Sequence, residues 1–457
     1  MAQDTKLLKR AYAPAKLAMK YHPLYHGKIE IAPKVPVDSY DDFAVWYTPG
    51  VADPCKEIQK NPEKVFDLTN KWNNVAIVTD GTRVLGLGDI GPEAGLPVME
   101  GKSLLFKYLG GVDAFPICLG TSNPEDIKNA VRWLQPSFGG VNLEDISQPK
   151  CFEILDTLRG ELRIPVWHDD QQGTGTVVCA GLINAVKVVG KKLAQAHICM
   201  VGAGAANIAI ARIIMEAGVT PGNIVMVDKT GILGRNRTEL KEGFHAKWDI
   251  CEKTNREGRV GGLEQAIKGA DVLIAMSSSG PGVIKKELIR LMNTDSIVFA
   301  CANPVPEIWP WEAKSAGAKI VATGRSDFPN QVNNSLGFPA IFRGTLDVRA
   351  KTITDEMCIA AAREIAKVAE EKGLSDEHII PSMSDKEVFP REAAAVGMEA
   401  IKQGIARLKF SKSQLYERAS SIINHSQKSA EMLMRRGLIK SLPGRPKSGA
   451  HRRHHTN

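Results

Sequence analysis

"AHICMVGAGAANIAIARIIMEAGVTPGNIVMVD", residues 196–228, decides the fold. It opens on an apolar run and turns at Gly202 and Gly204. Apolar residues then recur at helical spacing up to Gly218, the chain turns again at Pro221 and Gly222, and a second apolar run ends at Asp228. Strand, glycine turn, helix and strand make a βαβ unit of the length a parallel crossover needs. The backbone of Gly202, Ala203, Gly204 and Ala205 can approach a pyrophosphate at the helix N-terminus, and Asp228 is placed to accept hydrogen bonds from an adenine ribose. Asn207 stands where a third glycine is usual, a departure expected to loosen the helix against the sheet. Asp228 by itself favours NAD, because a carboxylate repels a 2′-phosphate. Lys229, Arg235 and Arg237 follow closely enough for one to fold back onto such a phosphate, so NAD and NADP both stay open.

Outward from this unit, "DVLIAMSSS", "SIVFACANP" and "KIVATG" read as further strands between helix-like stretches. Five or six strands in a doubly wound parallel sheet are expected. Before it, "NVAIVTDG", "DAFPICLG" and "GGVNLED" alternate with the helical "SLLFKYLGG" and "PEDIKNAVRWLQP". The fold class is therefore α/β. An N-terminal α/β catalytic domain is expected over residues 1–160 and a Rossmann-type dinucleotide-binding domain over 161–390. Helices and a basic tail follow over 391–457.

The 457 residues are 43% hydrophobic and 24% charged, the balance of a soluble globular protein long enough to bury a deep site. The net charge of +8 does not argue for a nucleic-acid partner: Arg435, Arg436, Lys440, Arg445, Lys447, Arg452 and Arg453 all follow the last acid, Glu431, and the body is near neutral. The tail "SLPGRPKSGAHRRHHTN" has the Pro, Gly and charge content of a disordered end. No apolar stretch reaches membrane-spanning length and no secretory signal opens the chain. The first 29 residues carry one acid, Asp4, against six Lys/Arg. An organellar leader stays open as the weaker alternative, with a single arginine and the helix-breaking Pro14 against it. The eight cysteines form no C-x-x-C pair and several lie in apolar runs, so a reducing, cytoplasmic setting is expected.

"WHDDQQGTGTVV", residues 167–178, sets two acids side by side at a probable turn from strand to helix. Asp169 and Asp170 either cap that helix or help to hold a cation. Glu144 and Asp145 follow "GGVNL", so both acidic clusters stand at carboxyl ends of strands, where α/β ligand sites form. Three carboxylates converging there would make an oxygen site for Mg²⁺ or Mn²⁺. Capping remains the alternative.

"VWYTPGVADPC", "VTDGTRVLGLGDIG", "LPVMEGKSLLFKYLGGVDAFPICLGT", "NLEDI", "HDDQQGTGTV", "CANPVPE" and "NQVNNSLGFPAIFRGTLD" together resemble the malic enzymes, in particular the short bacterial and protist type. The resemblance spans about residues 15–400. It implies oxidative decarboxylation of L-malate to pyruvate and CO₂ with NAD or NADP and a divalent cation. It further implies Glu144, Asp145 and Asp170 as metal ligands and Asp169 as an acid that holds them in place. Lys102 matches the base for the malate hydroxyl, which requires its pKa to be lowered well below the usual lysine value. Tyr47 matches the acid that protonates C3 of the pyruvate enolate. Arg83 matches a grip on a malate carboxylate, and Asn303, Asn333 and Asn334 match substrate and nicotinamide contacts. A homodimer or larger homo-oligomer is expected. The motifs serve equally a malolactic reaction, in which the hydride returns to pyruvate to give lactate. A non-catalytic binding module is disfavoured because every reactive position is intact.

Overall fold

The run Asn74–Thr79 (β1) has five of six residues buried, the pattern of a strand covered on both faces. It pairs in parallel with Asp113–Cys118 (β2) on one side and Gly140–Leu143 (β3) on the other, and β3 pairs in parallel with Val166–His168 (β4). Parallel neighbours need crossovers, and the helices Pro92–Gly110, Pro124–Leu134 and Lys150–Glu161 supply them. The order β2-β1-β3-β4 sends the chain in opposite directions from β1, which opens a crevice at the carboxyl ends of β1 and β3. Asp80 follows β1, Glu144 and Asp145 follow β3, and Asp169 and Asp170 follow β4.

The second sheet runs in the order β10-β9-β8-β5-β6-β7. Its strands are Ile198–Val201 (β5), Ile224–Asp228 (β6), Gly231–Ile232 (β7), Val272–Ala275 (β8), Ser296–Ala300 (β9) and Ala318–Thr323 (β10). All pair in parallel except β7, a two-residue antiparallel edge on β6. The switch point lies between β5 and β8. Gly202 stands there at φ +95°, and a Cβ on it would lie 2.8 Å from the Met276 carbonyl, so both torsion and space call for glycine. Asn207 corrects an expectation. It is fully buried, and its Nδ2 donates to the Val201 and Gly202 carbonyls at 2.8 Å each, so it pins the helix Ala205–Glu216 to the end of β5 rather than loosening it.

The computed structural model describes residues 2–443; the tail residues Arg445, Lys447, Arg452 and Arg453 lie outside the described residues. Pro14 does not end the first helix, Ala2–Tyr25, which carries both Pro14 and Pro23 inside it. Among the described residues no helix is long and apolar enough to cross a membrane. After the second sheet the chain returns to the first. The helix Phe338–Asp347 is buried throughout and packs Phe338, tilted, and Phe342, edge-on, against Phe106 with ring centres 4.6 and 5.2 Å away. Its buried Arg343 donates to Asp347 at 2.9 Å and to Asn73 at 2.6 Å, while its Nε has no partner among the described residues. The helix Lys412–Arg435 docks on Pro92–Gly110 through Ser426 Oγ to the Lys107 carbonyl at 2.8 Å and Gln427 Nε2 to that of Tyr108 at 3.0 Å.

Candidate active site

Asp169–Gly173 forms one wide helical turn between β4 and the helix Thr174–Val188, and neither Asp169 nor Asp170 caps that turn or helix with its side chain. Asp169 is instead the hub of a buried network. Its carboxylate accepts from Lys102 Nζ, from Asn334 Nδ2 and from Trp167 Nε1, the last at 3.3 Å. The helix Pro92–Gly110 delivers Lys102 and the turn before Phe338–Asp347 delivers Asn334, so three separate segments meet on one acid.

Glu144 lies 2.8 Å from Lys102 Nζ and accepts from Asn142 Nδ2 at 2.9 Å. Asp145, in the left-handed region at φ +53°, donates its amide to Asp170 Oδ2 at 3.0 Å. Oxygens of Glu144, Asp145 and Asp170 come within 4.8 Å of one another. Buried Asp145 Oδ2 has no hydrogen-bond partner. Four carboxylates thus face one ammonium. Burial, reinforced by Asp170, pushes the Asp145 carboxyl up to about 8. Burial also raises Glu144 and Asp169 against the pull of Lys102, with the neighbouring acids adding to it. A hard divalent cation with oxygen ligands, Mg²⁺ or Mn²⁺, fits this donor set: it would occupy the orphaned oxygen and absorb the surplus negative charge.

The lysine departs from expectation. Burial alone would lower the Lys102 ammonium, as a base requires, but Asp169 and Glu144 outweigh it and the net direction is up. Its Nζ also sits 4.5 Å from the Phe338 ring centre, which favours the charged form. Until those carboxylates are otherwise engaged, Lys102 is held as a cation.

The other expected residues divide. Arg83 is tied to the cluster through its backbone, its amide donating to the Asp145 carbonyl at 2.9 Å, while its exposed guanidinium, among the described residues, hydrogen-bonds only the Leu85 carbonyl at 3.1 Å. Asn303 borders the same loop: a Cβ on Gly86 would lie 2.9 Å from its carbonyl, so the two sheets face each other there. Asn333 has its side-chain oxygen taken by Ser335, at 3.0 Å to the amide and 2.6 Å to the hydroxyl, leaving only its NH₂ to offer. Tyr47 stands apart. Its side chain is 71% exposed and makes no hydrogen bond among the described residues.

Several contributors are absent from the sequence reading. Lys150 binds Asp80 and the Ser122 carbonyl, and Asp80 holds Thr82 by amide and hydroxyl, which shapes the loop bearing Arg83. An acid ending β1 in "VTDGT" was the available signal. His168, wholly buried, lies 3.7 Å from Asp170, and burial lowers its pKa, so it is neutral beside the acids.

At the second sheet, Gly204 precedes the helix Ala205–Glu216, and a Cβ there would meet nothing within 4 Å. The backbone at Gly204 therefore opens onto free space at a helix N-terminus. Beside it lies a cavity of about 580 Å³ whose lining includes Gly202, Asp228, Lys229, Arg237, Val260 and Leu263.

Comparison with known proteins bears on the family. Residues 26–130 match the family described as "Malic enzyme, N-terminal domain" and residues 171–401 match "Malic enzyme, NAD binding domain". The chain is 48% identical over 405 residues to the bifunctional malic/malolactic enzyme of Bacillus subtilis, covering 89% of this chain and 97% of that one. It is 50% identical over 381 residues to the NAD-dependent malic enzyme of Geobacillus stearothermophilus, covering 83% and 78%. The crystal structure of Entamoeba histolytica malic enzyme superposes with a TM-score of 0.94 at 47% identity, covering 96% of this chain and 92% of that one. With both halves of the chain matched and both halves of the site assembled, the chain belongs to the malic enzyme family.

Proposed function

We propose that this chain oxidatively decarboxylates L-malate to pyruvate and CO₂ at the Lys102–Asp169 cluster, passing hydride to NAD or NADP. The observation that carries the reading is the convergence of Glu144, Asp145 and Asp170 beside Lys102 at the ends of β3 and β4.

A divalent cation held by these three carboxylates would supply Lewis acidity to the C2 oxygen, and the nicotinamide would accept the hydride. The chain's own groups do the rest. Arg83 grips a malate carboxylate with its exposed guanidinium. Lys102 takes the C2 hydroxyl proton once the charge of its carboxylate neighbours is engaged and burial becomes the larger influence on its pKa. Asp169 aims Lys102 and Asn334 at the same point. Asn303 and the free NH₂ of Asn333 approach from the second sheet. After CO₂ leaves, Tyr47 donates a proton to C3. The cluster suits decarboxylation of added oxaloacetate too.

Tyr47 belongs to a segment with exposed Val37, Tyr40, Phe43, Val45 and Trp46, an apolar face that a second copy of the chain would cover as a homodimer. A light-scattering mass of one chain contradicts that assembly. Eight free cysteines, six of them buried, fit a reducing, cytoplasmic setting.

The test is malate turnover with NAD and NADP in parallel, with and without Mn²⁺, and with the product identified. Pyruvate and free reduced dinucleotide appearing only with the cation is the expected result. Lactate without free reduced dinucleotide would replace it with the malolactic reaction.

A further inference from the structure

The dinucleotide reading above leaves the partner of the adenine ribose undecided, and the surroundings of Asp228 bear on it. An ionised carboxylate offers about four lone-pair positions. Here Oδ1 is fully taken and Oδ2 keeps one position. Oδ1 accepts from the Thr230 amide at 2.9 Å, from the Thr230 hydroxyl at 2.7 Å and from Arg237 Nη1 at 3.3 Å, while Oδ2 faces Lys247 Nζ at 3.4 Å. Burial alone would raise the Asp228 carboxyl, yet Thr230 and Arg237 hold it down at about 2, so it stays ionised and committed to these partners. A ribose diol seeking an acceptor is left a single position, on the oxygen that also faces Lys247.

The cavity wall is cationic in compensation. Arg237 is 14% exposed and lines the cavity; its Nε is held by Glu239 and its Nη1 by Asp228, while Nη2 has no partner among the described residues. Lys229, exposed on the same wall, makes no hydrogen bond or ion pair among the described residues. Lys247 stands behind Asp228 and cancels its charge. Arg235 is not part of this wall, for its guanidinium goes to the Glu252 carbonyl at 3.1 Å. Two cations and one neutralised acid face a space of about 580 Å³, and the apolar Val260 and Leu263 on the other side offer a shelf for a purine.

We propose that this chain selects the 2′-phosphorylated dinucleotide, NADP, over NAD, with Arg237 and Lys229 as the phosphate-recognising residues and Asp228 serving to orient Arg237 rather than to bind ribose. The inference rests on the dinucleotide reading of the second sheet.

The test is direct binding to the full chain, without malate, by fluorescence titration of NADPH and NADH and by calorimetry with adenosine 2′,5′-bisphosphate and 5′-AMP. NADPH should bind about tenfold or more tighter than NADH, as charge-assisted contacts to a phosphate would give. Arg237→Gln should lose most of that ratio through weaker NADPH binding, with NADH within about twofold of wild type, and adenosine 2′,5′-bisphosphate should weaken in step while 5′-AMP does not. Lys229→Gln, at an exposed side chain, should narrow the ratio in the same direction and covers the case in which Arg237→Gln fails to fold. NADH binding as tightly as NADPH, or both falling equally in either variant, overturns the proposal while leaving the dinucleotide site intact. Failure of all four probes to bind overturns the dinucleotide reading itself.

Discussion

A Cβ on Gly173 would lie 2.0 Å from Asp169 Oδ1. The wide turn after β4 therefore admits no side chain at 173 while Asp169 holds Lys102 and Asn334. Gly173→Ala should push the Asp169 carboxylate off both partners. Turnover of malate should fall by about tenfold to a hundredfold, the scale of a misplacement near 1 Å, with little change in circular dichroism. Wild-type turnover in this variant would mean that the position of Asp169 does not matter to the chemistry.

Lys102 and Tyr47 are assigned protons at different stages, so their losses should not coincide. Lys102→Ala should stop malate oxidation but leave some cation-dependent decarboxylation of oxaloacetate, which starts from the ketone. Tyr47→Phe should slow exchange of solvent protons at C3 of pyruvate. Each group is worth a factor of about 10² to 10⁴. Exchange at the wild-type rate in Tyr47→Phe removes Tyr47 from the mechanism, a pointed check given its 71% exposure. Normal oxidation in Lys102→Ala would direct attention to Asp169 as the base.

Asn207 replaces a glycine–backbone contact with two side-chain hydrogen bonds to buried carbonyls. Asn207→Ala strands the Gly202 carbonyl, while that of Val201 keeps the Met276 amide at 3.1 Å, and should cost about 1–3 kcal/mol in urea unfolding. Unchanged stability would show that the helix is pinned by packing alone.

Asp228 gives a pH dependence with a definite sign. Its folded-state pKa, about 2, lies below the ordinary aspartate value, so its contribution to stability is fully present above about pH 4 and is lost as pH falls towards 2. Asp228→Asn should flatten the acid limb of a stability profile in that window and leave the profile above pH 5 parallel to wild type. An acid limb as steep as wild type would mean that the pairing with Thr230 and Arg237 does not persist in solution.

The βαβ unit was readable because its evidence is local: apolar periodicity, two glycines at a turn and an acid at the end of β6. The acidic strand ends were readable for the same reason. Their meeting was not, because Glu144 and Asp169 reach Lys102 only through the order β1-β3-β4 and the return of Phe338–Asp347 to the first sheet. The direction of the Lys102 pKa followed from that meeting, so a sequence view of one lysine in "EGKSLL" expected it lowered. Arg237 near Asp228 could be anticipated from proximity in the chain; Lys247, brought in by the helix His245–Lys253, could not. Asn333 taken singly reads as a turn residue, and its side-chain oxygen does hold the turn at Ser335 while its NH₂ stays available to a ligand.

The central claim, that the Glu144–Asp145–Asp170 cluster holds the cation on which malate turnover depends, is tested most directly by Asp170→Asn. Mn²⁺ binding is read by electron paramagnetic resonance beside malate oxidation as a function of Mn²⁺. Mn²⁺ binding should weaken by about tenfold or more and malate oxidation should be lost at limiting Mn²⁺, with the fold retained. Wild-type Mn²⁺ affinity together with wild-type turnover at limiting Mn²⁺ would contradict the claim.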